Sequence, residues 1–434
     1  MDKMADVLGR AGAWCGQNKY LSAIKNAFQN FMPLTIAGAI GVLWCNVLVN
    51  DQTGLGLFFK PIMALDFLNP AFQAVNFCTI SCITVGITLG IAQEIGVWNM
   101  GAERAGYIPG LVGLAAWLSV TNTSHMVDGA KEAFTGIAGN ELGATGLFTG
   151  MIIGVLSVEL FCFFEKQDAL KIKMPEQVPP GVARAFEVLV PATITLIITA
   201  CIGSACYNLT GLYLNDVIKN GIQGPLGAVG ATIPGVMIIY LVIMLFWLVG
   251  IHGNNMLSAV KEALFTPLAL ENVEKFNKGE KPTNIINMYA LHMWGEFGGS
   301  GVTIGLVIAI MIFGKREDNK AIATLSLVPG LFNINETVTF GIPMVLNPIL
   351  GIPFVVAPLI TIIIGYVLTV IGFCPVACLT VPWTTPPIVF GFLACGANVM
   401  GAVTQAILIV VSTVIYVPFL ISYEKYQNKQ AAEA

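Results

Sequence analysis

The sequence predicts an all-α polytopic membrane protein: plain spanning helices in its first half, helices with broken, re-entrant pieces in its second. Three observations carry this. The 434 residues are 56% hydrophobic and only 11% charged, with a mean hydropathy of +0.78, whereas soluble domains are about 25% charged. Residues 225–251 and 337–423 carry no charge, and a spanning helix needs only about 20 apolar residues. The apolar segments are long blocks broken by Gly and Pro, not alternating ten-residue strands, which favours helices over a β-barrel.

In chain order, residues 1–30 place Met4, Val7, Leu8, Ala11, Trp14, Tyr20, Leu21, Ile24 and Phe28 at helical spacing, with Lys3, Arg10, Lys19 and Lys25 between them. The pattern predicts an amphipathic helix on the cytoplasmic membrane surface. Spans follow near 31–49, 75–93, 107–121, 144–164 and 186–206, and 31–224 reads as a scaffold domain. Lys and Arg number nine in the N-terminal segment and connectors 94–106 and 166–185, against three in connectors 50–74, 122–143 and 207–224. The asymmetry predicts both termini on the cytoplasmic side. Nothing at the N-terminus resembles a cleavable signal.

The pattern changes in 225–434, the expected substrate domain. A span at 225–250 ends in Trp247-Leu-Val-Gly-Ile-His-Gly-Asn-Asn255, and a charged region follows at 261–282. A Gly-rich apolar block (293–313) precedes the hydrophilic turn 315–320, and apolar runs near 345–373, 385–398 and 400–422 complete the chain. Between the first two of these runs, Cys374 to Pro387 holds four prolines in fourteen residues. Such a stretch cannot continue a helix, so a hairpin dipping into the membrane is expected, covered by protein or water. His292, Trp294 and Glu296 precede Gly298-Gly-Ser-Gly301 and suit either a second such tip or the cytoplasmic edge. His125, in a polar outer connector, is expected in solvent.

The net charge of −4 and the absence of a basic tract give no hint of nucleic-acid binding. The ten cysteines are scattered. Cys78/Cys82 and Cys374/Cys378 lie one helical turn apart but have no local His or carboxylate to complete a metal set, so no metal and no cofactor are expected.

Two isolated polar groups stand out. Glu336 is the only Asp, Glu, Lys or Arg between Lys320 and Glu424, and a carboxylate at bilayer depth costs about 2.5–3.5 kcal/mol on insertion scales. Asn333 and Asn335 flank it with amides, and Gly341 and Pro343 break the helix after it. His252 is likewise the only His or charged residue between Lys219 and Lys261, followed by Asn254 and Asn255. Each offers the other a partner, and a carboxylate beside imidazole is a fair proton acceptor for a hydroxyl. Trp383, among Thr380, Thr384 and Thr385, offers an indole platform for the apolar face of a sugar. With no Lys or Arg in these blocks, the expected solute is neutral and polar.

These residues resemble the membrane component IIC of the phosphotransferase system, in the lactose/cellobiose/N,N′-diacetylchitobiose family. The resemblance rests on Asn333-Ile-Asn-Glu-Thr-Val-Thr-Phe-Gly341 after Gly250-Ile-His-Gly253, on Pro382-Trp383, and on the layout of nearly the whole chain. Thr337 stands where the family usually has Pro, which leaves the fine substrate specificity open. The resemblance implies a homodimer in the bacterial cell membrane, with about ten transmembrane helices, two re-entrant hairpins and lipid as its surroundings. It implies that the N-terminal half forms the dimer interface and that the C-terminal half carries a disaccharide across like an elevator. A phosphorylated IIB protein, fed by IIA, then donates phosphate from a cysteine to a sugar hydroxyl, typically at C6. In this sequence Glu336 and His252 match the catalytic pair, while Asn254, Asn333, Asn335 and Trp383 are expected to bind sugar. No soluble cysteine-centred domain is attached, so IIB is expected on a separate chain. A proton-coupled sugar transporter using Glu336 for coupling is the alternative, and a sugar sensor on the same fold a third. Cellobiose, lactose, diacetylchitobiose and aryl β-glucosides all stay open as ligands.

Overall fold

A computed structural model describes the chain except residues 1–9, 11–13, 15, 16, 52–54, 126–133, 176, 226–229, 343 and 434. The described residues are mostly helical; their only strands, Ser124–His125 and Phe134–Thr135, form one short antiparallel ribbon. The ribbon half-buries His125 against Phe134, ring centroids 5.5 Å apart, where the sequence placed this histidine in solvent. Five helices are long and apolar enough to cross a membrane, and seven if two bent pairs each count as one span. The chain divides into two compact units, one of residues 17–38 and 74–227, the other of 39–73 and 228–434.

The first unit is built on α1 (Lys19–Leu43), α2 (Ile83–Met100), α3 (Ile108–Val120), α4 (Ala144–Glu165) and α5 (Pro180–Thr210). The amphipathic helix expected over 1–30 falls partly outside the described residues. Its second half, from Lys19, runs without a break into the first apolar run as α1. Lys19 Nζ, one of the basic groups of that pattern, lies 2.6 Å from Glu159, and Asn26 donates to Glu94 at 2.9 Å. Helices α2, α3 and α4 approach closely through small residues, as membrane helices do in the absence of a hydrophobic drive. A Cβ on Gly113 would stand 2.3 Å from that of Ala92. Arg104 and Arg184 both hold the buried Glu165 (2.7 and 3.0 Å) and both reach Glu187, tying the turn after α2 to the end of α4 and the start of α5. Connectors 94–106 and 166–185, assigned to one side by charge counting, therefore meet. Glu165 and Glu187 hold the Arg104 guanidinium above its ordinary pKa.

In the second unit α6 (Ile233–Leu248), α7 (Gly253–Asn277), α8 (Met288–Gly295) and α9 (Ile304–Phe313) precede α10 (Glu317–Leu331) and α11 (Glu336–Gly341). The chain ends in α12 (Gly351–Val370), α13 (Val389–Ala394) and α14 (Val399–Glu433). One apolar core joins α6, α8, α9, α12 and α14 through Tyr240, Trp247, Trp294, Phe354 and Tyr416, all nearly inaccessible. The charged stretch 261–282 begins inside α7, and Lys261 there is buried to 5% exposure. Between α8 and α9 the chain bends by 60° at Gly298, Gly299 and Gly301, all at positive φ. Gly301 has a second reason to be glycine: a Cβ there would sit 2.3 Å from the Phe354 ring.

The proline-broken stretch is non-helical from Gly372 to Pro387, and the apolar run at 385–398 yields only the six-residue α13. This hairpin is pinned at its root. Cys378 and Leu379 N–H donate to the Ala394 carbonyl (2.7 and 3.1 Å), while the Ala377 carbonyl accepts from the buried amides of Asn272 and Asn287. These backbone polar groups are met by protein, as buried ones must be.

Candidate functional site

The two isolated groups meet. His252 ends the turn after α6 and is the N-cap of α7, its Nδ1 accepting the Asn255 N–H at 3.2 Å. A ring nitrogen that accepts carries no proton, so in neutral imidazole the hydrogen sits on Nε2. Nε2 faces Glu336 Oε1 at 3.6 Å. That is too long for a hydrogen bond, so the pair leaves both carboxylate oxygens room to accept from a third group. Both side chains are accessible, at 36% and 45%, in a chain whose sequence makes charge rare. The Trp247 indole lies behind the imidazole, centroids 4.4 Å apart, and is buried against Phe340 and Phe354.

The flanking amides divide into two kinds. Asn333, at φ +62°, accepts the Gly298 N–H at 2.7 Å and donates to the carbonyls of Trp383 and Thr385 at 2.5 and 3.0 Å. Its amide is spent on backbone, and it bridges the Gly-rich bend to the proline-broken hairpin. Asn335 is buried and donates to the Ser300 carbonyl and to Thr339. Asn254 donates to Ser300 Oγ at 3.0 Å, but its Oδ1 is buried without a partner. Unsatisfied buried acceptors are uncommon and costly, and of these three amides Asn254 is the one whose oxygen is left open. Trp383 is 43% exposed on the hairpin tip.

A buried cluster lies nearby. Glu296 accepts from Tyr240 Oη at 2.6 Å, pairs with Lys261 Nζ and lies 3.2 Å from His292 Nε2. Both Glu296 and Lys261 are within electrostatic reach of His252. Sequence reasoning reached Glu296 and His292 only as one of two placements and did not reach Lys261 or Tyr240. The lysine brings a cation into a region read as free of them, but Glu296 neutralises it, so the site still lacks the unpaired positive charge an anionic solute needs. Among the described residues no group of three or more His, Cys, Asp or Glu is arranged to hold a metal ion.

Apolar helices long enough to cross a membrane, together with an accessible Glu–His pair beside unwound backbone, define a multi-pass membrane protein that keeps polar groups among apolar helices. A family model described as the phosphotransferase system, EIIC, matches residues 25–358. The chain is 32% identical over 429 residues to the oligo-beta-mannoside-specific EIIC component of Bacillus subtilis (strain 168), covering 98% of this chain and 94% of that one. It is 30% identical to the cellobiose-specific EIIC component of Lactococcus lactis, covering 98% of each. The crystal structure of the transporter ChbC, the IIC component of an N,N′-diacetylchitobiose-specific phosphotransferase system, superposes with a TM-score of 0.88 at 29% identity, over 97% of both chains. The chain belongs to the phosphotransferase system EIIC family, the sugar-permease components of that system.

Proposed function

We propose that this permease moves a β-linked disaccharide of the cellobiose type inward and presents it for phosphorylation by a separate, phosphorylated IIB protein, itself charged by IIA. The substrate class follows the relatives, named for cellobiose, oligo-β-mannosides and diacetylchitobiose. The observation that carries the mechanism is the His252–Glu336 approach at 3.6 Å across 84 residues of chain. The sugar C6 hydroxyl binds at Glu336, whose carboxylate takes its proton as the oxygen attacks the phosphorus held on the IIB cysteine; the P–S bond breaks and the IIB thiolate leaves. Nε2–H of His252 steadies the carboxylate and fixes its orientation. Trp383 stacks on a pyranose face, and the free Oδ1 of Asn254 accepts a hydroxyl. Asn333 and Asn335 serve the sugar indirectly, by holding the bend and hairpin around it.

In this reading the two broken segments, around 298–302 and 372–388, are re-entrant hairpins. The shorter apolar helices α3 and α6 join the longer ones in a set of about ten spans, with both termini cytoplasmic. The first unit supports a homodimer, and the second carries the sugar in an elevator-type motion. The phosphate, once attached, prevents return through the bilayer because its charge cannot cross hydrocarbon. Uptake of labelled cellobiose by cells lacking other permeases tests this: it is expected to require IIB and to survive a protonophore. Uptake that persists without IIB and stops with the protonophore favours proton coupling through Glu336 instead.

A further inference from the structure

One buried amide fastens the two broken segments together. Gln405 lies on α14 beside Thr404 in an otherwise apolar run, and is 1% exposed. Its Oε1 accepts two backbone donors, Ile388 N–H at 2.7 Å and Gly391 N–H at 2.8 Å, both at the start of α13. Its Nε2 donates to the Met293 carbonyl at 3.3 Å, on α8 just before Glu296. One amide thus joins the hairpin carrying Trp383 to the segment carrying His292, Glu296 and the Gly-rich bend.

Ile388 shows why the fastening matters. Its φ is +75°, a region that β-branched residues avoid and that persists only where surrounding structure imposes it. Gln405 holds the N–H of that residue, five positions after Trp383, so the turn aiming the hairpin tip is kept in a conformation the chain does not favour. Asn333 meets the same hairpin from the other side through Trp383 and Thr385.

We infer that Gln405 is a positioning residue for the transport reaction: it sets sugar affinity by holding the Trp383 hairpin against the Gly-rich bend. This rests on the proposed role of Trp383, and the test separates the two. Inverted vesicles with phosphorylated IIB and cellobiose give KM and kcat for each variant. Gln405→Leu removes all three bonds and is expected to raise KM about tenfold or more, as misplacement near 1 Å does, with kcat within about twofold. Gln405→Glu keeps the acceptor for both N–H groups and is expected within about threefold of wild type. Gln405→Asn, one methylene short, is expected to behave like the Leu variant, and it decides the matter if the Leu variant does not reach the membrane.

On a Trp383→Ala background, Gln405→Leu is expected to add no more than about twofold, because the group it positions is gone. A wild-type KM in the Leu or Asn variant overturns the inference, as does a full multiplicative loss on the Trp383→Ala background. If Trp383→Ala alone raises KM and Gln405→Leu does not, only the role of Gln405 falls. If Trp383→Ala alone leaves KM unchanged, the stacking role falls, and a raised KM in Gln405→Leu then contradicts the route through the hairpin.

Discussion

Glu336→Gln changes one atom at the site and nearly nothing else. The side chain is 45% accessible and its nearest partner, His252 Nε2, stands 3.6 Å away, so neither packing nor a buried hydrogen bond is lost. Stability is therefore expected to stay within about 0.5 kcal/mol of wild type, as for other exposed replacements. An amide still accepts from a sugar hydroxyl, but as a neutral group. The exchange of a charge-assisted bond (about 1.5–3 kcal/mol) for a neutral one (about 0.5–1.5 kcal/mol) weakens binding by about 1.25 kcal/mol between the midpoints, about tenfold. It cannot, however, take the hydroxyl proton. A positioned base contributes about 10²–10⁴-fold, equivalent to about 2.7–5.4 kcal/mol in the barrier. The assay pairs equilibrium binding of labelled cellobiose to purified protein with phosphoryl transfer from IIB at saturating sugar. Binding retained within tenfold and transfer reduced at least a hundredfold is the expected result. Transfer at the wild-type rate would refute the base assignment.

His252→Ala removes both the α7 cap, worth about 1 kcal/mol, and the donor facing Glu336; thermal unfolding and phosphoryl transfer should both suffer. His252→Asn restores a cap but not the imidazole, so stability should recover while transfer stays at least about tenfold low, because the Nε2–H that faces the carboxylate is gone. Equal recovery of both would reduce His252 to a capping role. Trp383→Ala should raise the cellobiose Kd about tenfold, within the range of an aromatic contact plus its buried area; an unchanged Kd removes the indole from the sugar site. Lys261→Met leaves the buried Glu296 carboxylate without its cation and should cost about 3–5 kcal/mol, read as a lower midpoint of thermal aggregation in detergent. The Lys261→Met/Glu296→Gln pair should recover most of that loss, and additive losses would show that the two do not act as a pair.

Glu336 and His252 were legible because charge inside a long apolar sequence is expensive enough that each had to have a reason. Their partnership followed from scarcity, since neither had another candidate nearby in the chain. The unwinding at 372–388 was legible for a similar reason, four prolines having no helical solution. Lys261 was not legible. It opens the charged stretch 261–282, where charge by itself marks no buried position, yet Lys261 sits on the buried side of α7. Its partner Glu296 lies 35 residues on, a pairing no local pattern announces. The division of labour among the asparagines was equally hidden: an amide in a motif offers donors and an acceptor, and only the fold shows that Asn333 has spent all of them. Gln405 did leave a signal, as a lone amide in an apolar run, but what it fastens depends on two segments separated from it by 17 and 112 residues. The family resemblance read from Asn333–Gly341 and Gly250–Gly253 agrees with the match over residues 25–358.

The central claim is that sugar leaves this protein chemically altered. Inverted vesicles carrying the chain, given phosphorylated IIB and labelled cellobiose, report on it through the charge of the product. The account predicts an anionic 6-phosphosugar, formed only with the phosphorylated donor and absent from Glu336→Gln vesicles. Neutral, unmodified cellobiose crossing in response to a proton gradient would contradict it.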